Sequence, residues 1–403
     1  MAKQLQFKDM LSRLETISTK TAVTIEKSTN VRKYIDTGVY ILNAAISKSI
    51  FNGIPDNRMS IFAGESSVGK SYLCNNIAKR AQLSGYNVFY IDTEFAAELD
   101  EFTNYGIDVE KNFSLIRCGK IEDLKIVLTQ LIDFLKEQKK SGVDIGKNVI
   151  FLDSIGQLAS DKEVEDAKDG KIKTDMSRAK AIKQFFRIIN SDLGYLNIAM
   201  ICTNHTYKTM DLFPQEVMSG GEGAKYTASS VIFLSKAKLK TGEEDEMDLG
   251  QSGSIITAQV RKNRLAKPKK VKFEIDFGVG TNPYKGLDAF CTVENFPKIG
   301  IAKVKKVVTK SKEKDADGKF IETVSYEPGG TKWYVKHLDA TFYEKQLFNS
   351  KVFTKDVLLA LDPIIIEYFS YGSGYEEYDV VDVIDDIPEF DMDSDETDSS
   401  LFD

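Results

Sequence analysis

Residues 61–74 read IFAGESSVGKSYLC, and within them Gly64, Glu65, Ser66, Ser67, Val68, Gly69, Lys70 and Ser71 form the pattern Gly-x4-Gly-Lys-Ser. No other feature limits the possible folds as tightly. For such a loop to hold phosphates, Gly64 and Gly69 must let backbone N–H groups turn inward. The loop must also run from a buried strand into the positive end of a helix. Its neighbours meet both needs: MSIFAG before it is a short apolar strand, and SYLCNNIAKRAQLSG after it has helical spacing. In that setting Lys70 neutralises the β- and γ-phosphates of a nucleotide, and Ser71 offers its hydroxyl to Mg2+.

The same alternation continues along the chain. NVFYIDTE, NVIFLDS, NIAMICTN and SSVIFLS each read as a strand buried on both faces, with amphipathic stretches such as IEDLKIVLTQLIDFLKEQKK between them. Alternating strands and helices predict βαβ units and a mostly parallel sheet. SIITAQVRKNRL and KKVKFEIDFGVG read as a later antiparallel hairpin extending that sheet. The expected organisation is a short N-terminal helix-strand element (1–45, ending in the alternating TAVTI), a core over 46–284, a small mixed α/β domain over 285–370, and an acidic disordered tail over 371–403.

Composition narrows the class further. No stretch approaches the roughly 20 consecutive apolar residues of a membrane span, and the N-terminus MAKQLQFKDMLSRLETISTK lacks an apolar export segment. Cys74, Cys118, Cys202 and Cys291 are far apart, and the two histidines give a zinc site little support. A reducing, cytoplasmic setting is expected. The net charge of −7 is uneven: from Glu376 onward there are thirteen acidic residues and no basic ones, so the rest carries +6. A basic body with an acidic end suits a polyanion partner.

Two carboxylates complete a candidate nucleotide site. NVIFLDS ends in Asp153, placed at a strand end to hold a Mg2+-bound water. VFYIDTEF ends a second strand with Asp92 and Glu94. Strand ends converge on the ligand crevice of a parallel sheet, which makes Glu94 the candidate base for hydrolysis.

The run GESSVGKS, YIDTEF, VIFLDS, CTNHTYK and SGGEGAKYTASSVIFL, in that order and spacing, resembles the RecA family of DNA strand-exchange proteins over about residues 35–285, and its phage members most. The resemblance implies a RecA-like P-loop NTPase core and a DNA-dependent ATPase that uses ATP and Mg2+. It implies self-association into helical filaments on single-stranded DNA, pairing with homologous double-stranded DNA, and help from a loading mediator and a single-strand-binding protein. Carried over by position, Glu94 activates water and His205, where many relatives have Gln, senses the γ-phosphate. His205 also brings a group that titrates near neutrality.

Two segments match the family's DNA-binding loops, about 160–176 and 206–224. They and the helix that follows the first bring Met176 as a wedge between bases, Arg178 and Lys180 for the backbone, and Gly220 and Gly221 for close approach to phosphate. The first is also acidic, with Asp161, Glu163, Glu165, Asp166 and Asp169. Lys262 and Arg264 match paired cations that reach a neighbouring protomer's ATP, and Tyr226 an aromatic at the same interface. Relatives often carry a Tyr seven residues after the catalytic Glu; this chain has Glu101 there and Phe102 next, so adenine contacts stay unassigned. Two other readings of the core remain open at this point: a ring-forming replicative helicase and a non-catalytic ATP-gated DNA-binding scaffold. The acidic tail is expected to restrain DNA binding or dock a loading protein.

Overall fold

The computed structural model describes residues 33–169, 177–210, 213–221, 223–240, 251–314 and 320–372. The N-terminal TAVTI element, Met176 and the acidic tail from residue 373 lie outside them.

A 10-stranded sheet organises the chain. Its strands are β1 (Met59–Gly64), β2 (Tyr86–Asp92), β3 (Phe113–Arg117), β4 (Lys147–Asp153), β5 (Ala199–Lys208), β6 (Glu216–Met218), β7 (Ser230–Lys240), β8 (Gln251–Asn263), β9 (Lys270–Asp276) and β10 (Gly280–Thr281). The order across the sheet is β10-β9-β8-β7-β1-β5-β4-β2-β3, with β6 pairing on β5. From β7 to β3 every pair is parallel. β8 to β10 add on antiparallel, as the hairpin reading expected.

Side-chain alternation sorts the core into two faces. Phe62, Val149, Phe151 and Ile201 join one apolar cluster with helix α1 (Tyr40–Ser47) and helix α2 (Lys70–Leu83). Ile61, Ala63, Ile150, Leu152, Met200 and Cys202 join the other. That second face is closed by α4 (Ile121–Lys140), which follows the short α3 (Leu99–Asn104), and by α6 (Ser177–Leu196). In α4 the buried Ile121, Leu124, Leu128, Ile132 and Leu135 recur at helical spacing, with Glu122 and Asp123 in the first turn and Lys139 and Lys140 in the last. Burying each such aliphatic side chain is worth about 1.5–3 kcal/mol, so a charge at Leu128 would strip α4 from the sheet.

The C-terminal residues keep a small cluster of their own, Phe296, Ala302, Val304 and Tyr334, but most of their buried side chains join the main core. Leu287, Val335, Phe353 and, from helix α8 (Lys355–Phe369, after α7 at Gly223–Thr227), Leu361 and Phe369 join the α1 and α2 cluster. Asp362 of α8 accepts from the Ile50 amide at 2.8 Å and the Ser49 hydroxyl at 3.0 Å, tying this end to the residues after α1. A two-stranded ribbon, β11 (Val304–Lys314) with β12 (Phe320–Pro328), belongs to the same region.

Two sequence expectations change, and two elements appear that the sequence reading did not contain. The start of the segment expected to be the first DNA loop is helix α5 (Asp161–Lys168), because Ser160 and Glu163 form a capping box that satisfies two amides at its N-terminus. The acidic residues of that segment therefore lie on and just after a helix. The second loop holds a β5–β6 hairpin, with Thr206, Tyr207 and Lys208 opposite Met218, Val217 and Glu216. The helix α3 and edge strand β3 were not anticipated; β3 is only half buried and lacks the continuous apolar run of its neighbours. Among the described residues no helix is long and apolar enough to cross a membrane.

Candidate active site

The C-terminal ends of β1, β5, β4 and β2 lie side by side, with Gly64 in register with His205 and Asp92 with Asp153. Everything the nucleotide reading requires is concentrated there.

The loop after β1 curls because Ser67 (φ 58°) and Gly69 (φ 94°) are left-handed. A side chain at Gly64 would put its Cβ 2.6 Å from the Leu234 carbonyl oxygen, so only glycine fits. Helix α2 begins at Lys70 with no side-chain cap and no acid in its first turn. Its first N–H groups are thus left for an anion. Glu65, Ser66 and Ser67 are exposed and Val68 is buried. Lys70 is buried, and its Nζ donates to the Gly64 and Glu65 carbonyls at 3.0 and 2.8 Å. Burial pulls its pKa below the usual lysine value, opposed by the Asp153 and Glu94 carboxylates.

The carboxylates divide into three roles. Asp92 accepts from the Glu94 and Ala97 amides, both at 2.9 Å, and so shapes the turn after β2. Asp153 accepts from the Tyr90 hydroxyl at 3.0 Å and from the Thr203 hydroxyl, which orients it. Thr93 and Ser154 bond reciprocally, Thr93 Oγ1 donating to the Ser154 carbonyl at 2.7 Å and accepting from the Ser154 amide at 2.8 Å. That lock sets Ser154 so that its hydroxyl reaches Glu94 Oε1 at 3.0 Å. The same oxygen is 3.0 Å from His205 Nε2. Burial works to raise the Glu94 carboxyl, but the His205 and Ser154 hydrogen bonds and the His205 and Lys70 charges outweigh it and hold it below its usual value. Ser71, Asp92, Glu94 and Asp153 line one small cleft.

Two features of this cleft were missed in the sequence. Phe102 is core, packed on Tyr90 at 4.8 Å and Phe113 at 4.9 Å between ring centroids. Tyr105, at the C-terminal end of α3, instead meets Tyr72 edge-on at 5.6 Å. Those two tyrosines line a cavity of about 470 Å³ beside the loop, shared with Phe277 and Val279. Asn75 Oδ1 is buried at the cleft without a partner.

Beyond His205 the chain enters the β5–β6 hairpin, which exposes Tyr207, Lys208, Met210 and Phe213. Gly220 (φ 78°) and Gly221 (φ 81°) turn the chain toward α7, so conformation alone calls for glycine at both. Lys180 is exposed on α6, whereas Arg178 donates to the Gly156 carbonyl and so braces the start of α6. Lys262 Nζ donates to the Lys225 and Tyr226 carbonyls at 2.7 and 2.8 Å, in the last turn of α7. Tyr226 is exposed. Between the two cations, buried Asn263 donates to the Ala45 and Ile46 carbonyls at 3.0 and 2.9 Å. It pins the strand that carries them, a role its neutral side chain did not advertise.

Comparison with known proteins agrees with this geometry. A family model described as the RecA N-terminal domain matches residues 6–282. The chain belongs to the RecA family. It is 33% identical over 287 residues to the "Recombination and repair protein" of Enterobacteria phage T4, covering 69% of each chain. It is 27% identical over 252 residues to "Protein RecA" of Sulfurimonas denitrificans, covering 61% of this chain and 66% of that one. A "Mitochondrial DNA repair protein recA homolog" of Dictyostelium discoideum is 27% identical over 234 residues, 57% of this chain and 48% of its own. The RecA-family match thus takes in the phosphate loop, both carboxylate strand ends, the hairpin and the strand of Lys262 and Arg264.

Proposed function

We propose that this chain is an ATP-dependent DNA recombinase that polymerises with ATP on single-stranded DNA, takes in a homologous duplex and exchanges strands. The observation that carries the reading is the contact between His205 and Glu94. His205 stands at the root of the hairpin, so a group positioned to meet a γ-phosphate is bonded directly to the candidate base.

The residues fit a nucleotide and a hard cation. The uncapped α2 N-terminus, the left-handed Ser67 and Gly69, and Lys70 suit a triphosphate, and Ser71 with Asp153 offers the oxygen donors Mg2+ prefers. When bound, Mg2+ would neutralise phosphate charge. The nucleobase belongs between the Tyr72–Tyr105 pair and Phe277, where aromatic faces and edges are available.

In hydrolysis, Glu94 accepts a proton from the water attacking the γ-phosphate, while Lys70 balances charge on the non-bridging oxygens. Lys262 and Arg264 of the neighbouring subunit stabilise the transition-state charge from the other side. His205 exchanges Glu94 for the γ-phosphate and carries that change into the hairpin. Tyr207, Met210 and Phe213 offer faces for bases, and Lys208 and Lys180 charge for the backbone; such contacts bind single strands with little sequence preference.

Electron microscopy of the protein on long single-stranded DNA with a non-hydrolysable ATP analogue tests the assembly. Continuous helical filaments are expected. Isolated closed rings would mean a helicase and remove the DNA-loop assignments.

A further inference from the structure

Arg261 lies where β8 slips register against β7. Val260 faces Ile232 and Lys262 faces Val231, so Arg261 is the extra residue of a β-bulge. Bulges re-aim a side chain and tighten local twist. Here the guanidinium settles over the ring of Phe233, 3.6 Å from its centroid, and Phe233 is itself core. From that platform Nη1 donates to the Glu216 carbonyl at 2.8 Å and Nη2 to Glu216 Oε2 at 2.6 Å. The other Glu216 oxygen accepts from the Thr206 hydroxyl at 2.9 Å.

The position of this contact matters. Three ladder pairs, with a few bonds at either end, join β5 to β6 among the described residues, and a short two-stranded ribbon is marginal in water without outside support. Glu216 opposes Lys208 in the half of the hairpin nearer its tip, just before the Thr209–Gln215 bonds, so Arg261 fixes the hairpin well out from its root. The two side chains are 32% and 28% exposed, so this two-point ion pair is better shielded than a surface pair. Towards the catalytic cleft the path is Glu216, Thr206, His205 and Glu94. Along β8 the next residue is Lys262, followed by the anchored Asn263 and then Arg264.

We propose that Arg261 is a positioning residue that locks the DNA-facing hairpin to the strand carrying Lys262 and Arg264, so that engagement of a single strand sets those cations for the adjoining subunit's nucleotide. The inference rests on the recombinase reading and adds to it a fixed mechanical link between DNA and the subunit interface. Movement of the hairpin on DNA pulls on Glu216 and, through Arg261, on the residue before Lys262. Without the link, DNA still binds but the cations no longer respond to it.

The test uses the full chain and compares ATP turnover with and without oligo-dT. Arg261→Ala is expected to lower the DNA-stimulated kcat about tenfold, in the range of couplings carried by single side chains. DNA-free turnover, nucleotide KM and melting temperature should stay near wild type. Arg261→Lys keeps a cation over Phe233 but loses the two-point contact, so it should show most of the same loss and guards against a folding defect in the alanine variant. Adding Glu216→Gln to Arg261→Ala should cost nothing more, since both break one contact. Equal losses with and without DNA, or additive losses in the double variant, would overturn the proposal. A wild-type chain that DNA does not stimulate would instead sink the recombinase reading, and this inference with it. A stimulated wild type with an equally stimulated Arg261→Ala would sink this inference alone.

Discussion

Lys262→Ala is expected to lose about three orders of magnitude in DNA-stimulated ATP turnover, the lower end of what a cation supplied in trans contributes, and to regain activity when mixed with Glu94→Gln subunits. In the single chain Lys262 is bonded to its own Lys225 and Tyr226 carbonyls, not to the phosphate loop beside β1. Burial first, then the neighbouring Arg264 and Lys225 charges, press its pKa down. Asn263 anchors that strand, which lies several strands across the sheet from the one that ends before Glu94. In the head-to-tail filament proposed above, each nucleotide site would draw its base from one chain and its cations from the next. At equal mixing about a quarter of the interfaces join a Lys262→Ala nucleotide site to a Glu94→Gln neighbour with intact cations. Turnover approaching that fraction of wild type is the expected ceiling. Inert variants that remain inert when mixed would place Lys262 in its own subunit's site or outside catalysis.

Glu94→Gln should cut the turnover number by about 10²–10⁴, the usual contribution of a positioned general base, while nucleotide and DNA binding persist. Glutamine keeps the size of the side chain and an oxygen to accept from Ser154, so the Thr93–Ser154 lock is undisturbed. What disappears is a group able to take a proton. The wild-type carboxyl is held below its usual value, so it stays ionised through neutral pH. The acid limb of the wild-type kcat/KM profile, which reports the free enzyme with His205 still on Glu94, should therefore fall below the ordinary glutamate pKa of about 4.3, and the variant should lack it. A limb near neutrality would show that another group limits the rate. Retained turnover in Glu94→Gln would place the base for hydrolysis on another residue.

The phosphate loop, the parallel strands and the strand-end placement of Glu94 and Asp153 were legible because each depends on local pattern, an apolar run and then a polar residue at the strand end; His205 came from the family resemblance alone. The capping box at Ser160 and Glu163 was equally legible, since Ser-x-x-Glu is its sequence signature. Tyr105 was obscured by counting a fixed offset from Glu94, which lands on solvent-exposed Glu101 and buried Phe102. The turn of helix α3 brings the aromatic face to residue 105 instead. Asn263 and Arg261 could not be read from sequence at all. Their importance comes from partners 218 and 45 residues away, and in the case of Arg261 from a register slip that no periodicity reveals.

Strand exchange itself is the most direct measurement. Circular single-stranded DNA and a linear duplex are combined with the protein and Mg2+-ATP, using homologous or heterologous duplex, beside a Lys70→Ala control. Joint molecules should form with the homologous duplex alone and be absent with Lys70→Ala, whose loop has lost the ammonium that Gly64 and Glu65 hold in place. Joint molecules that form equally with Lys70→Ala, or none with wild type on homologous DNA, would contradict ATP-dependent recombination as the function of this chain.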